Sequence, residues 1–90
     1  KGNIIIGENL IIELSVNMIG SDEYLFIIGK NVLIKGTSYV FGSIIEDDIH
    51  IEHSVIIKKR VNRQIRKDGA IQKVMFYLPM PSGLDVISEL

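Results

Sequence analysis

Ninety residues make one domain, and a chain this size buries only about 60–65% of the surface it exposes when unfolded, so its stability rests on one modest core. Hydrophobic residues make up 47% of the chain and eighteen residues are isoleucine, which excludes disorder by composition; the absence of cysteine excludes disulfides, thiolate nucleophiles and Cys-ligated zinc together. The net charge of −1 is unevenly spread: seven Lys or Arg stand against Asp68 alone between residues 58 and 73, while residues 1–57 hold three Lys against eight Asp or Glu.

β-Branched runs separated by turn residues predict strands at 3–6, 10–17, 23–28, 32–41, 48–66 and 70–78, punctuated at Gly7-Glu8-Asn9, Gly20-Ser21-Asp22, Gly29-Lys30-Asn31 and Lys67-Asp68-Gly69. The clearest element is the stretch "SVIIKKRVNRQIRKDGAIQKVMFYLP", in which both arms alternate and a three-residue turn at 67–69 folds one arm back on the other. Its period places Val55, Ile57, Val61 and Ile65 on a core face and Ile56, Lys58, Arg60, Asn62, Gln64 and Arg66 on a wet one. On the returning arm Ala70, Val74, Phe76 and Leu78 share a face, opposite Ile71, Lys73, Met75 and Tyr77. Strand pairing stops at Leu78-Pro79-Met80-Pro81, because proline cannot donate to a ladder. Ser82 as N-cap, Asp85 near the positive end, and Leu84, Ile87 and Leu90 at helical spacing then predict a terminal helix. The expected fold is mainly β: a small antiparallel meander, an open barrel or a sandwich, over residues 1–78, with a Pro-containing loop and C-terminal helix of the same domain over 79–90.

Two stretches, "IGKNVL IKGTSY VFGS" and "IEDDIH IEHSVI IKKRV", resemble the hexapeptide repeats of left-handed β-helix proteins, in which an aliphatic side chain every sixth residue points into a triangular coil. Ile28, Ile34 and Val40 hold one frame, and Ile45, Ile51 and Ile57 hold another. The resemblance covers about 30 of the 90 residues; the frame slips at Glu46 and the basic hairpin does not continue it. It implies an alternative fold, the left-handed β-helix, and a scaffold like those of acyltransferases, sugar-nucleotide enzymes or bactofilin-like filament units.

The segment "EDDIHIEHS" concentrates acids and histidines. On a strand Asp48, His50 and Glu52 point to one side, and Ile49, Ile51 and His53 to the other. A metal site on that face has only one nitrogen ligand, with donors about 6.5–7 Å apart, so no metal is expected. A Ser54, His50 and Asp47 triad does not converge from one strand, and Gly29-Lys30 lacks the upstream glycine of a phosphate loop. Enzyme activity and cofactors are therefore not expected. Lys58, Arg60, Arg63, Arg66, Lys67 and Lys73 form a basic row for a partner or a nucleic-acid backbone; Glu46, Asp48, His50 and Glu52 form a complementary acidic face.

The functional expectation is a non-catalytic interaction or assembly module with an acidic body and a basic hairpin, binding a protein partner or a second copy of itself. The alternatives are a nucleic-acid-binding β-domain and a hexapeptide-repeat scaffold. Apolar runs such as Leu25 to Ile28 stop far short of the roughly 20 residues of a membrane helix, so no membrane insertion is expected. A cysteine-free chain leaves the redox compartment undecided, with the cytoplasm favoured, and a start at Lys1 without Met fits a piece of a longer protein.

Overall fold

The computed structural model describes residues 3–62, 71–75, 77 and 87–90. Short strands turn through corners and stack on themselves. The first rung is β1 (Ile4–Ile6), β2 (Ile11–Ile12) and β3 (Val16–Ile19); the second is β4 (Phe26–Ile28), β5 (Leu33–Lys35) and β6 (Ser38–Phe41). The third is β7 (Ile44–Ile45), β8 (Ile49–Glu52) and β9 (Val55–Ile57), and the fourth contains β10 (Lys59–Val61) and β11 (Gln72–Met75). The last strand is β12 (Ile87–Glu89).

Pairing runs between rungs. The first face stacks β1-β4-β7-β10-β12, the second β2-β5-β8-β11 and the third β3-β6-β9. Among the described residues every pairing is parallel except β10 with β12. The molecule is therefore a three-sided parallel β-solenoid, not the antiparallel meander expected from the sequence. The predicted hairpin does not form: β11 pairs with β8 in parallel, and the 55–61 arm is divided between two faces. The turn at 67–69 lies outside the described residues. So does most of the predicted C-terminal helix, but Ile87–Glu89 is a strand, and no helix occurs among the described residues. Hence none there is long and apolar enough to cross a membrane.

The core consists of columns of isoleucine and valine down the axis. Ile28, Ile45 and Val61 stack on the first face, Ile34, Ile51 and Val74 on the second, and Val40 and Ile56 on the third, all essentially inaccessible to solvent. β-Branched residues suit this arrangement, since each packs flat against its equivalent about 4.8 Å away along the stack. Complete burial of such a side chain stabilises the fold by about 1.5–3 kcal/mol. Ile28, Ile34 and Val40, six residues apart, supply one inward side chain to each face of the second rung. In the third rung that role falls to Ile45, Ile51 and Ile56, while Ile57 faces out.

The phase changes at the corners. Inward residues are even-numbered from Phe26 to Val40, odd from Ser43 to Ile51, even again at Ser54 and Ile56, and odd at Val61. Each change falls at a residue with positive φ: Gly42 (50°), His53 (47°) and Lys58 (53°). Asn31, Gly36 and Asp48 have positive φ at corners that keep the phase, so corner length decides. The inward residues flanking Gly42 and His53 are three apart and those flanking Asn31, Gly36 and Asp48 are four apart, and an odd step exchanges inside and outside. That is why Val55 and Ile57 face outward and Ile56 inward, the reverse of the expectation from unbroken alternation. Tyr77, expected on the polar side, is buried for the related reason that its inward or outward aim follows the rung rather than a hairpin.

Three buried serines reconcile these tight corners with the requirement that buried polar groups be hydrogen-bonded. Each hydroxyl donates to a nearby carbonyl of its own rung: Ser38 to Lys35 O (2.9 Å), Ser43 to Phe41 O (2.8 Å) and Ser54 to Glu52 O (2.7 Å). Each also accepts an amide one rung further on, from Ser54 (3.2 Å), Lys59 (3.1 Å) and Tyr77 (3.3 Å) respectively.

Candidate functional site

The strands place His50, Glu52 and Lys73 on the second face and Arg60 on the first. His50 and Glu52 alternate with the buried Ile49 and Ile51 on β8, so both project outward as their spacing predicts. Asp48 does not join them. It is a corner residue (φ 59°), and its Oδ1 accepts from Asn31 Nδ2 at 3.0 Å; Asn31 Oδ1 in turn accepts from Asn9 Nδ2 at 2.9 Å. Asn9 and Asn31 share the same left-handed backbone (φ 59° and 58°), which Asn and Asp tolerate better than other side chains. The three residues form a ladder along one edge, and the acidic residue in it serves the corner.

Stacking adds neighbours that the linear sequence keeps far apart. Lys73 on β11 lies opposite His50, and Lys35 on β5 opposite Glu52. Glu52 Oε2 is 3.0 Å from both Lys73 Nζ and His50 Nε2. The Lys73 ammonium, hydrogen-bonded to Glu52, holds its carboxyl below the ordinary value. Burial pushes the His50 imidazole below its ordinary value, Lys73 and Lys35 add to that effect, and Glu52 opposes it. Although His50 Nε2 is close to Glu52, the two are not aligned as donor and acceptor, and this buried nitrogen has no hydrogen-bond partner among the described residues. The proximity is electrostatic contact without a directed bond.

The residues of the sequence-predicted triad do not converge. Ser54 is buried with its hydroxyl on the Glu52 carbonyl, and Asp47 Oδ1 accepts the Lys30 amide at 2.9 Å, so the two are structural and do not meet His50 as a triad. His53 sits at a corner with its ring against Gly36 and Nδ1 3.5 Å from Thr37 Oγ1. No group of three or more His, Asp or Glu is placed to hold a metal ion among the described residues.

The basic row is likewise dispersed. Arg60 Nη1 lies 2.9 Å from Glu46 Oε2, Lys73 is on Glu52, and Lys58 Nζ sits 4.3 Å above the Tyr24 ring. Arg63, Arg66 and Lys67 lie outside the described residues. The acidic and basic segments, separate in sequence, thus meet within one chain: rung three supplies the carboxylates and rung four the cations.

What the alternation could not reveal is the chemistry of the outer surfaces. The third face presents Tyr39 and Val55 beside Asn17 in one outward column and Ile19, Phe41 and Ile57 in the next. Tyr24 tilts against Phe41 with ring centroids 6.4 Å apart. The first face presents Ile5, Ile27 and Ile44, ending at Arg60. The signal for these columns is the offset between rungs, from Ile5 to Ile27 and then Ile44, which is recognisable only once the rung length is known. No family model matches the chain, and no curated protein or solved structure is significantly similar to it.

Proposed function

We propose that this domain is a non-catalytic assembly and interaction module, with a second copy of itself as first partner. The observation that carries the reading is the apolar outer surface: Tyr39, Phe41, Val55 and Ile57 stand together on the third face and Ile5, Ile27 and Ile44 on the first. Contiguous apolar surface of this kind marks contact surfaces, and parallel sheets are normally covered on both sides. The expected mode of association shifts accordingly. An acidic face of one copy meeting the basic row of another is a salt-sensitive interaction, whereas Arg60 and Lys73 already have carboxylate partners in their own chain. The association is therefore apolar and weakly dependent on salt. The six-residue spacing of Ile28, Ile34 and Val40 supports the narrower reading of a hexapeptide-type scaffold.

Size-exclusion chromatography with light scattering, at low and high salt, tests the proposal. A mass above that of one chain in both buffers is expected, and a strict monomer in both overturns it.

A further inference from the structure

We propose that His50, Glu52 and Lys73 form a pH-operated latch between the third and fourth rungs, and that protonation of His50 loosens β11 from β8 while the earlier rungs stay paired. The latch lies on the outer second face, away from the apolar columns of the first and third, so it acts within one chain whatever the oligomeric state.

Register fixes which groups meet. Across the ladder to β11, His50 stands directly opposite Lys73; across the ladder to β5 it stands opposite Leu33. Glu52 stands between Lys35 and Met75, and its Oε2 is 3.0 Å from both Lys73 Nζ and His50 Nε2. One carboxylate oxygen is therefore the meeting point for a cation from the fourth rung and an imidazole from the third. The His50 and Glu52 side chains are 24% and 15% exposed, so solvent screens this contact less than it screens the more open Arg60–Glu46 pair.

With His50 neutral, Lys73 holds the Glu52 oxygen. The imidazolium carries a donor and a full positive charge toward that same oxygen. Two cations then compete for one acceptor, and like charges stand directly opposite across β8 and β11, an arrangement that weakens strand pairing. The charged groups facing His50 among the described residues are Glu52 on its own strand, Lys73 on β11, Lys35 on β5 and Glu13 from the stretch after β2. Protonation leaves three cations against two carboxylates there, and Glu13 Oε1 is turned to the Gly36 amide. The conflict is one-sided: the neighbour of His50 on β5 is Leu33, so the direct repulsion acts toward β11.

The sign follows from the folded environment. Burial, with Lys73 and Lys35 adding to it against Glu52, holds the imidazole below its ordinary value of 6.5. Opening relieves that environment and takes up the proton that closure disfavours. The latch is therefore shut above 6.5 and yields as pH falls below it toward the folded value. Glu52, held below its ordinary value of 4.5 by its bond to Lys73, is still a carboxylate where His50 begins to charge.

Hydrogen exchange on the dilute chain at about pH 7.5 and about pH 5, expressed as protection factors, tests the latch across the range where histidine titrates. Between the two, protection of the amides in residues 72–75 should fall about three- to tenfold further than that of the β4 and β7 amides, the scale of one lost charged contact across a ladder. His50→Gln should abolish the difference. Lys73→Met should abolish it too, since protonated His50 then meets no cation on β11, and the His50 ring signals should titrate at higher pH in that variant than in wild type. His53→Gln, which replaces the other of the two histidines, should keep the difference. Circular dichroism establishes that each variant is folded, and the wild-type exchange pattern decides by itself where one is not. No added loss at 72–75, a loss spread evenly over the rungs, a response that persists in His50→Gln or Lys73→Met, or one that disappears in a folded His53→Gln overturns the latch. None of these outcomes bears on the assembly reading, which the mass measurement decides separately.

Discussion

The first and second rungs are built from nearly the same sequence material and end in opposite environments. β1 reads III and β4 reads FII, and each sends its first and third residues inward, yet Ile6 and Ile12 are largely exposed where Ile28 and Ile34 are sealed. Composition and alternation are equal to the task in both rungs. Burial in a solenoid comes from the neighbour stacked above and below, so the same isoleucine is core in one rung and open surface in the next.

The strongest test of that contrast is truncation at equivalent positions. Ile34→Ala should destabilise by about 2–5 kcal/mol, because Ile12 and Ile51 fix both sides of the cavity it leaves. Ile12→Ala, measured by urea unfolding below the association threshold, should cost less than about 1 kcal/mol. Equal losses would show that the first rung is as enclosed as the second.

Corner substitutions probe the same difference at smaller amplitude. Asn31→Ala removes a side chain bonded to both Asn9 and Asp48 and places alanine at positive φ, so a loss of about 1–2 kcal/mol is expected in thermal or urea unfolding. Asn9→Ala, at the open rung, should lose about half as much, having one ladder bond and the same backbone requirement.

Acid titration tests the enclosed outer face. The folded state disfavours His50 protonation, so the contribution of His50 is complete above its ordinary value of 6.5 and is lost as pH falls from there toward the lowered folded value. Glu52 acts lower: its stabilisation is present above 4.5 and is lost as pH falls through its own depressed value. The melting temperature should therefore fall in two stages on acidification, and His50→Gln should remove the upper one. An unchanged profile in that variant would discount the burial of the ring.

Salt should have the smallest effect. The Arg60–Glu46 pair is substantially exposed and contributes at most about 1 kcal/mol. Raising salt toward 1 M should therefore shift the urea midpoint only slightly; a collapse would mean that the charged edge, not the isoleucine columns, holds the rungs together.

Legibility from sequence varied with how local the cause was. The corners at Gly7-Glu8-Asn9 and Gly29-Lys30-Asn31 were readable because Asn supports positive φ by itself, and His50 with Glu52 was readable because two residues on one strand share a side. His53 and Lys58 are poor advertisements for a left-handed corner, so the stretch from 48 to 66 read as one continuous strand and the aim of Val55, Ile56 and Ile57 was inverted. The pairs Arg60 with Glu46 and Lys73 with Glu52 were invisible for a different reason: they depend on how many residues fill each rung.

The chain itself determined that it would be mainly β and roughly where it would turn, because branched side chains and turn residues act over a few positions; of the two six-residue frames, Ile28, Ile34, Val40, Ile45 and Ile51 are core and Ile57 is not. Only the tertiary structure decided that the strands stack in parallel, that opposite charges meet inside one molecule, and that the outer columns and the first rung are left apolar. Those outcomes follow from contacts between residues a whole rung apart, and a change of one residue at a corner is enough to move every contact beyond it.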